Sequence, residues 1–173
     1  MNNELIMVDK NDNPIGKISK QEAHEKPILH RAFSVFLFHD NKILIQQRAF
    51  HKYHSGGLWA NTCCSHPRTD DIVLDAKERL VEEVGIHCDN LKEIYKFIYL
   101  TKFNEHLYEH EFDHVLVGEY NGDFVINPNE VNDMKWIGTD ELKKELELYP
   151  EKYSSWFKIC APVVIRYIEN LNK

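Results

Sequence analysis

The 173-residue sequence contains no apolar run approaching 18 residues, no internal repeat and no low-complexity tract. It therefore offers no candidate membrane-spanning helix, repeat architecture or unstructured linker. Its first residues, MNNELIMVDKNDNPIG, lack the basic end and long apolar core of a secretory signal, so a cytoplasmic location is expected. Cationic excess is missing too: 21 Lys and Arg stand against 28 Asp and Glu, a net charge of −7. That balance argues against a general nucleic-acid or anionic-membrane surface, and any anionic ligand must be held by local cations or metals. Cysteines number four, and two of them, Cys63 and Cys64, are adjacent, which suits reduced thiols better than a spaced disulfide framework.

What the chain does have is 43% hydrophobic and 12% aromatic residues, enough for a packed core, in a length that fits one compact domain over 1–173. Glu4 to Val8 reads as a strand, Asp9 to Gly16 as a turn, and Ser19 as the cap of a short helix over Lys20 to Glu25 that Pro27 ends. Ala32–Phe38 and Lys42–Arg48, joined by Asp40-Asn41, form a central hairpin by pattern. Ala49 to Arg68 reads as a long irregular loop, and such loops inside a compact domain are usually functional. A helix follows, capped by Asp70 or Asp71, with Val73, Ala76, Leu80 and Val84 as its apolar stripe and Gly85 at its end. Glu93–Leu107, Tyr108–Tyr120 and Met134–Ile137 read as strands. Thr139 caps a short helix, and Ser154 or Ser155 begins a last one striped by Phe157, Cys160, Val164, Ile168 and Leu171. The order is α/β or α+β, with a mixed or largely antiparallel sheet between helices.

Four strings could carry chemistry. In E-R-L-V-E-E-V-G-I, Glu78 and Glu82 are four apart with Glu83 alongside, which is either a solvated acidic face or a magnesium site for a diphosphate, since hard oxygen ligands suit that ion. In Y-E-H-E-F-D-H, a strand period puts Glu109, Glu111 and Asp113 on one face, either exposed or functional. A helix there would instead align His106, His110 and His114 as ligands, a reading the β-branched and aromatic neighbours disfavour. Cys63-Cys64-Ser65-His66-Pro67 pairs a thiol with an imidazole, as a buried thiol beside a surface histidine or as an acid, base or nucleophile. Ten histidines, His24 and His30 among them, are mostly neutral near pH 7 and able to bind metal.

Taken in order, His24, His30, W-A-N-T-C-C-S-H-P at Trp59–Pro67, E-R-L-V-E-E-V-G-I at Glu78–Ile86 and Y-E-H-E at Tyr108–Glu111 resemble the type I isopentenyl-diphosphate Δ-isomerases, a Nudix-fold family. The likeness runs from about Glu4 to Trp156 and into the last helix. It implies a metal site of His24, His30, His66, Glu109 and Glu111 holding Zn2+, Mn2+ or Fe2+. It implies Cys64 and Glu111 as catalytic groups, with Tyr99 beside the glutamate and Trp156 in the active site. It also implies Glu83 as a ligand of the Mg2+ that accompanies the substrate diphosphate, and Lys20, Arg48, Lys52 and Arg79 as the cations that hold it. The expected substrates are isopentenyl and dimethylallyl diphosphate, with no nucleic-acid or membrane partner. One departure from the general Nudix box stands out: no glycine lies between Arg68 and Val84, and Glu78-Arg79 replaces Arg-Glu. Those positions serve pyrophosphate hydrolysis, and their loss agrees with the degenerate box of the isomerases.

The chemistry itself dictates residue types. Moving a double bond from a terminal to an internal position adds one proton to an unactivated alkene and removes another, through a tertiary carbocation. The site needs a donor on one face, an acceptor on the other, an aromatic face near the charge and no water to trap it. Cys64, Glu111 with Tyr99, and Trp156 are of those types. A Nudix pyrophosphohydrolase would share the fold without needing Cys64, His66, His24 and His30 together, and a structural metal module would explain the histidines and thiols alone.

Overall fold

A computed structural model describes residues 4–173. Its elements are β1 (Glu4–Val8), β2 (Pro14–Ser19), α1 (Lys20–Glu25), β3 (His30–His39), β4 (Lys42–Arg48), β5 (Trp59–Ala60), β6 (Cys63–Ser65), α2 (Ile72–Val84), β7 (Lys92–Asn104), β8 (Leu107–Glu119), β9 (Val131–Gly138), α3 (Thr139–Leu148) and α4 (Ser155–Leu171). The strands share one mixed sheet built around β3. Along one edge β3 runs parallel to β8 from His30 opposite Glu111 to Phe38 opposite Glu119. Its other edge meets β1 at His30, β6 at Phe33 to Val35 and β4 at Leu37 to His39, all antiparallel. The outer strands β7 and β9 pair antiparallel with β8 and β4.

Because side chains alternate across a strand, β3 feeds two cores. Phe33, Val35 and Leu37 join Ala76, Leu80 and Val84 of α2 on one face. Phe36 and Phe38 join Phe157, Cys160, Val164 and Ile168 of α4 on the other. The expected sheet between helices is what forms. Asp71 caps α2 by accepting from the Leu74 amide, and Gly85 ends it in the left-handed region at φ 64°, its N–H on the carbonyls of Leu80 and Val81.

Several boundaries differ from expectation. The segment read as a turn, Asp9 to Gly16, runs into the strand β2, in which only Ile18 is buried, so it shows no apolar alternation. The loop from Ala49 holds the short strands β5 and β6. The β7–β8 turn lies at Glu105-His106 rather than after Leu107, and β9 begins at Val131. Gly138, not Thr139, is the cap of α3, and Leu171 is exposed beyond the end of the α4 stripe. Strand geometry through β8 removes the alternative in which His106, His110 and His114 share a helix face.

Candidate active site

The site forms where α1, β3, β6 and β8 meet. His24 lies on α1, His30 opens β3 opposite Glu111 of β8, and His66 follows β6. One donor atom from each of His24, His30, His66 and Glu111 lies within 4.8 Å of all the others. The His66 Nε2 is 3.3 Å and the His30 Nε2 3.8 Å from Glu111 Oε1. The Nδ1–H groups of His24 and His30 donate to the carbonyls of Lys20 and Ile28, at 2.6 and 2.9 Å. That pairing leaves each Nε2 facing inward with its lone pair, the arrangement metal-ligating histidines use.

Burial keeps these imidazoles neutral: it holds His30 at about 2, helped by the nearby His66, and drives His66 well below its usual range. The Nε2 of His30 and the Oε2 of Glu109 are buried without a hydrogen-bond partner. Buried orphan acceptors beside a carboxylate are costly, and an intermediate or hard cation would satisfy them, so the donor set fits a divalent metal. The fifth expected ligand, Glu109, is not within the four-donor cluster. Its Oε2 lies 3.7 Å from His54 Nε2, and it shares the cleft with Glu111 and Tyr99.

The acidic strand face is not a solvated one. Glu109, Glu111 and Asp113 are all buried, on the same face as Val115 and Val117. Burial raises Glu109 well above the usual carboxylate range and moves Glu111 to about 7. Tyr99 sits opposite Glu111 across the β7–β8 pair and lines the cleft with both carboxyls, and burial raises its hydroxyl in turn. The two cysteines point to opposite sides of the sheet. Cys63 belongs to the α2 core and donates to Glu83 Oε2 at 3.3 Å, whereas Cys64 packs beside the α4 core. Burial pushes Cys64 up to about 12, partly offset by the guanidinium of Arg48, whose Nη1 lies 3.8 Å from the sulfur. Arg48 in turn sits 5.1 Å from the Trp156 ring centroid.

The string preceding the cysteines holds this loop in place. Asn61 donates to the carbonyls of Val35 and Cys63, at 3.2 and 2.6 Å, and accepts from the Trp156 indole N–H at 2.9 Å. Thr62 accepts from the Leu37 amide and donates to the Leu44 carbonyl, clamping the loop across β3 and β4. Cys64, His66, Glu109, Glu111, Tyr99 and Trp156 line one cleft with Lys20, Arg48, Lys52, Arg79 and Glu83. The cleft is narrow, with a cavity volume of ≈ 70 Å³. The acidic stretch of α2 divides: Glu83 is buried in the cleft, whereas Glu78 is exposed and Glu82 pairs outward with Arg68.

Three cleft residues were not singled out from the sequence. The Tyr53 hydroxyl donates to His24 Nε2 at 3.2 Å. His54 is buried, stacked on Phe103 with centroids 4.6 Å apart. Glu130 pairs with both Lys52 and Arg79. The only signal for His54 was one more histidine in a histidine-rich loop, and Glu130 carried none.

The NUDIX domain family matches residues 28–157. Isopentenyl-diphosphate Delta-isomerase 2 of Aromatoleum aromaticum is 47% identical over 95% of this chain and 88% of its own length. Isopentenyl-diphosphate Delta-isomerase 1 of the same organism is 45% identical over 95% and 94%. The chain belongs to this isomerase family, within the Nudix fold. Solved structures agree on the fold alone. DR0079 from Deinococcus radiodurans superposes with a TM-score of 0.75 at 16% identity, over 92% of this chain and 97% of that one. A MutT NUDIX hydrolase from Burkholderia pseudomallei gives 0.62 at 16%, over 78% and 96%. Where the box departs from the general Nudix pattern, α2 turns Arg79 and Glu83, rather than a row of carboxylates, into the cleft. No helix among the described residues is long and apolar enough to cross a membrane.

Proposed function

We infer that the chain interconverts isopentenyl and dimethylallyl diphosphate, a step of isoprenoid biosynthesis, by protonation and deprotonation through a tertiary carbocation. The observation that carries this reading is the convergence, in one cleft of an isomerase-family chain, of Cys64, Glu111 with Tyr99 opposite it, and Trp156. A proton transposition needs one group charged with a proton and another able to take one. A partly buried Cys64 at about 12 is a neutral thiol at pH 7, and a Glu111 near 7 is within reach of both states. Each group therefore serves as donor in one direction and acceptor in the other. Trp156 presents a buried indole to the site with Arg48 over its ring, and Tyr53 and His54, the latter backed by Phe103, wall it with aromatic surface that keeps water off a cation.

His24, His30, His66, Glu109 and Glu111 are the residues we assign to one Zn2+, Mn2+ or Fe2+. When bound, such an ion fixes the orientation of Glu111 and lowers its proton affinity. Lys20, Arg48, Lys52 and Arg79 bind the diphosphate, and Glu83 is a ligand of its accompanying Mg2+. We take residues 1–173 as one cytoplasmic domain acting on this small molecule, without nucleic-acid or membrane partners. Proton NMR of isopentenyl diphosphate with the protein and magnesium in deuterated water tests the reading. Deuterium entering the new methyl group and dimethylallyl diphosphate accumulating are the expected result. Release of phosphate with no isomer would replace it with a hydrolase.

A further inference from the structure

The cations of the diphosphate subsite already have an anion among them. Glu130 is held by its backbone just before β9, its N–H on the Asn127 carbonyl and its carbonyl accepting from Ala49. Its Oε2 pairs with Lys52 Nζ and lies 3.2 Å from Arg79 Nη2. Arg79 is further tied to Glu83 Oε2 through Nε at 2.9 Å and to Glu82 through Nη1 at 3.0 Å. Burial opposes charge on Glu130, yet Lys52 and Arg79 outweigh it and hold the carboxyl below its usual range. Lys20 completes the group, its ammonium disfavoured by burial and by Lys52.

A diphosphate arriving alone meets the carboxylates of Glu130 and Glu83 at the cations it must use. It can gain Lys52 and Arg79 only against a fixed negative charge that has no other partner there. A diphosphate arriving with a divalent cation meets the same carboxylates as favourable neighbours. Resting on the diphosphate reading above, we propose that Glu130 is a specificity-determining residue that makes this subsite select the metal-bound diphosphate over the free one. The carboxylate does so by occupying Lys52 and Arg79 in the ligand-free protein and repelling any anion that does not bring its own positive charge.

Glu130→Gln tests this with little risk to the fold, because the amide has the same shape, can still accept from Lys52, and leaves Arg79 held by Glu82 and Glu83. Calorimetric titration of inorganic pyrophosphate, with magnesium and in magnesium-free buffer, is the readout. The wild-type protein should bind pyrophosphate more tightly with magnesium. In Glu130→Gln the magnesium-free affinity should rise about tenfold, the scale of one charged hydrogen bond, while the magnesium-supported affinity moves much less. The two affinities should converge. A magnesium-free affinity that is unchanged or lower in Glu130→Gln overturns the proposal, and a parallel loss in both conditions makes Glu130 a strut for Lys52. In either case wild-type turnover of isopentenyl diphosphate leaves the isomerase reading standing. Wild-type protein that neither binds pyrophosphate nor turns over the substrate removes both.

Discussion

Asn61 joins the loop that carries Cys64 to the helix that carries Trp156, and its replacement by alanine separates the two. The amide orientation is unambiguous, because its NH2 faces two carbonyls that can only accept and its oxygen faces an indole N–H that can only donate. All of this is inside: Asn61 is 0% exposed and Trp156 2%. Asn61→Ala leaves the buried indole N–H without its partner and takes one amide donor from the Cys63 carbonyl, which stays opposite Val35 in the β3–β6 pair. Val35 loses only the weakest of the three contacts. At about 1–3 kcal/mol for the buried N–H left unpaired and about 0.5–1.5 kcal/mol for the lost amide hydrogen bonds, the loss is about 3 kcal/mol. A chain of this size loses roughly 2–4 °C in Tm per kcal/mol, so the drop should be about 6–12 °C in calorimetry. Trp156→Phe strands only the Asn61 oxygen and should cost about 1–2 kcal/mol. Because the two changes share one hydrogen bond, the double variant should fall short of their sum. A Tm within about 2 °C of wild type for Asn61→Ala, less than one unpaired group predicts, would refute the assigned network.

Cys64→Ala should lower turnover by about 10² to 10⁴, the usual loss of a positioned proton carrier, and Cys64→Ser should fail similarly because a hydroxyl holds its proton far more tightly. Cys63→Ala should keep most activity, and the reverse ranking, read by deuterium incorporation, would break the assignment of this loop. Metal analysis after dialysis should find about one ion per chain, a stoichiometry expected of one His/carboxylate site, and His30→Ala should lose it; a fully active metal-free protein would exclude the site. Burial lifts Asp113 from 3.8 to about 8, opposed by the Ser34 hydroxyl that donates to it at 2.8 Å. The raised pKa means that its contribution to stability is fully present below 3.8 and is lost as pH rises through about 8. In metal-free protein the urea midpoint of Asp113→Asn should therefore fall less than that of wild type between pH 5 and pH 8, and equal slopes would contradict the burial argument.

What could be read from the chain followed the physics of each signal. Periodic apolar stripes marked α2, α4 and the central hairpin because these elements bury one face or two against a core. β2 went unread because an edge strand with one buried residue shows no alternation. Glu109, Glu111 and Asp113 were placed on one face by period alone, but their burial depends on α4 packing on that face and β7 flanking it in the sheet, which no local pattern reports. His54 and Glu130 acquire meaning only through partners 55 and 78 positions away in the chain, Glu109 and Lys52. The motif strings carried the site through likeness to a family; taken singly, each had an ordinary structural explanation.

The first two strands and α1 are joined to the rest more loosely than the other elements. Their apolar side chains lie outside the two main cores, in two small clusters of which one takes in Phe112 of β8, and β1 meets β3 at a single residue pair, Met7 opposite His30. Asp12 adds fasteners to Arg31 and to His114. Such a segment opens locally at a fraction of the free energy of global unfolding. His24 is the donor atom that this segment lends to the cluster, while His30, His66 and Glu111 belong to the main body. An ion held by all four would thus be a clasp between a loosely docked flap and a rigid base. Its affinity would be spent first on slowing the release of α1, so amide exchange there would report metal occupancy while the β3 and β8 amides scarcely changed.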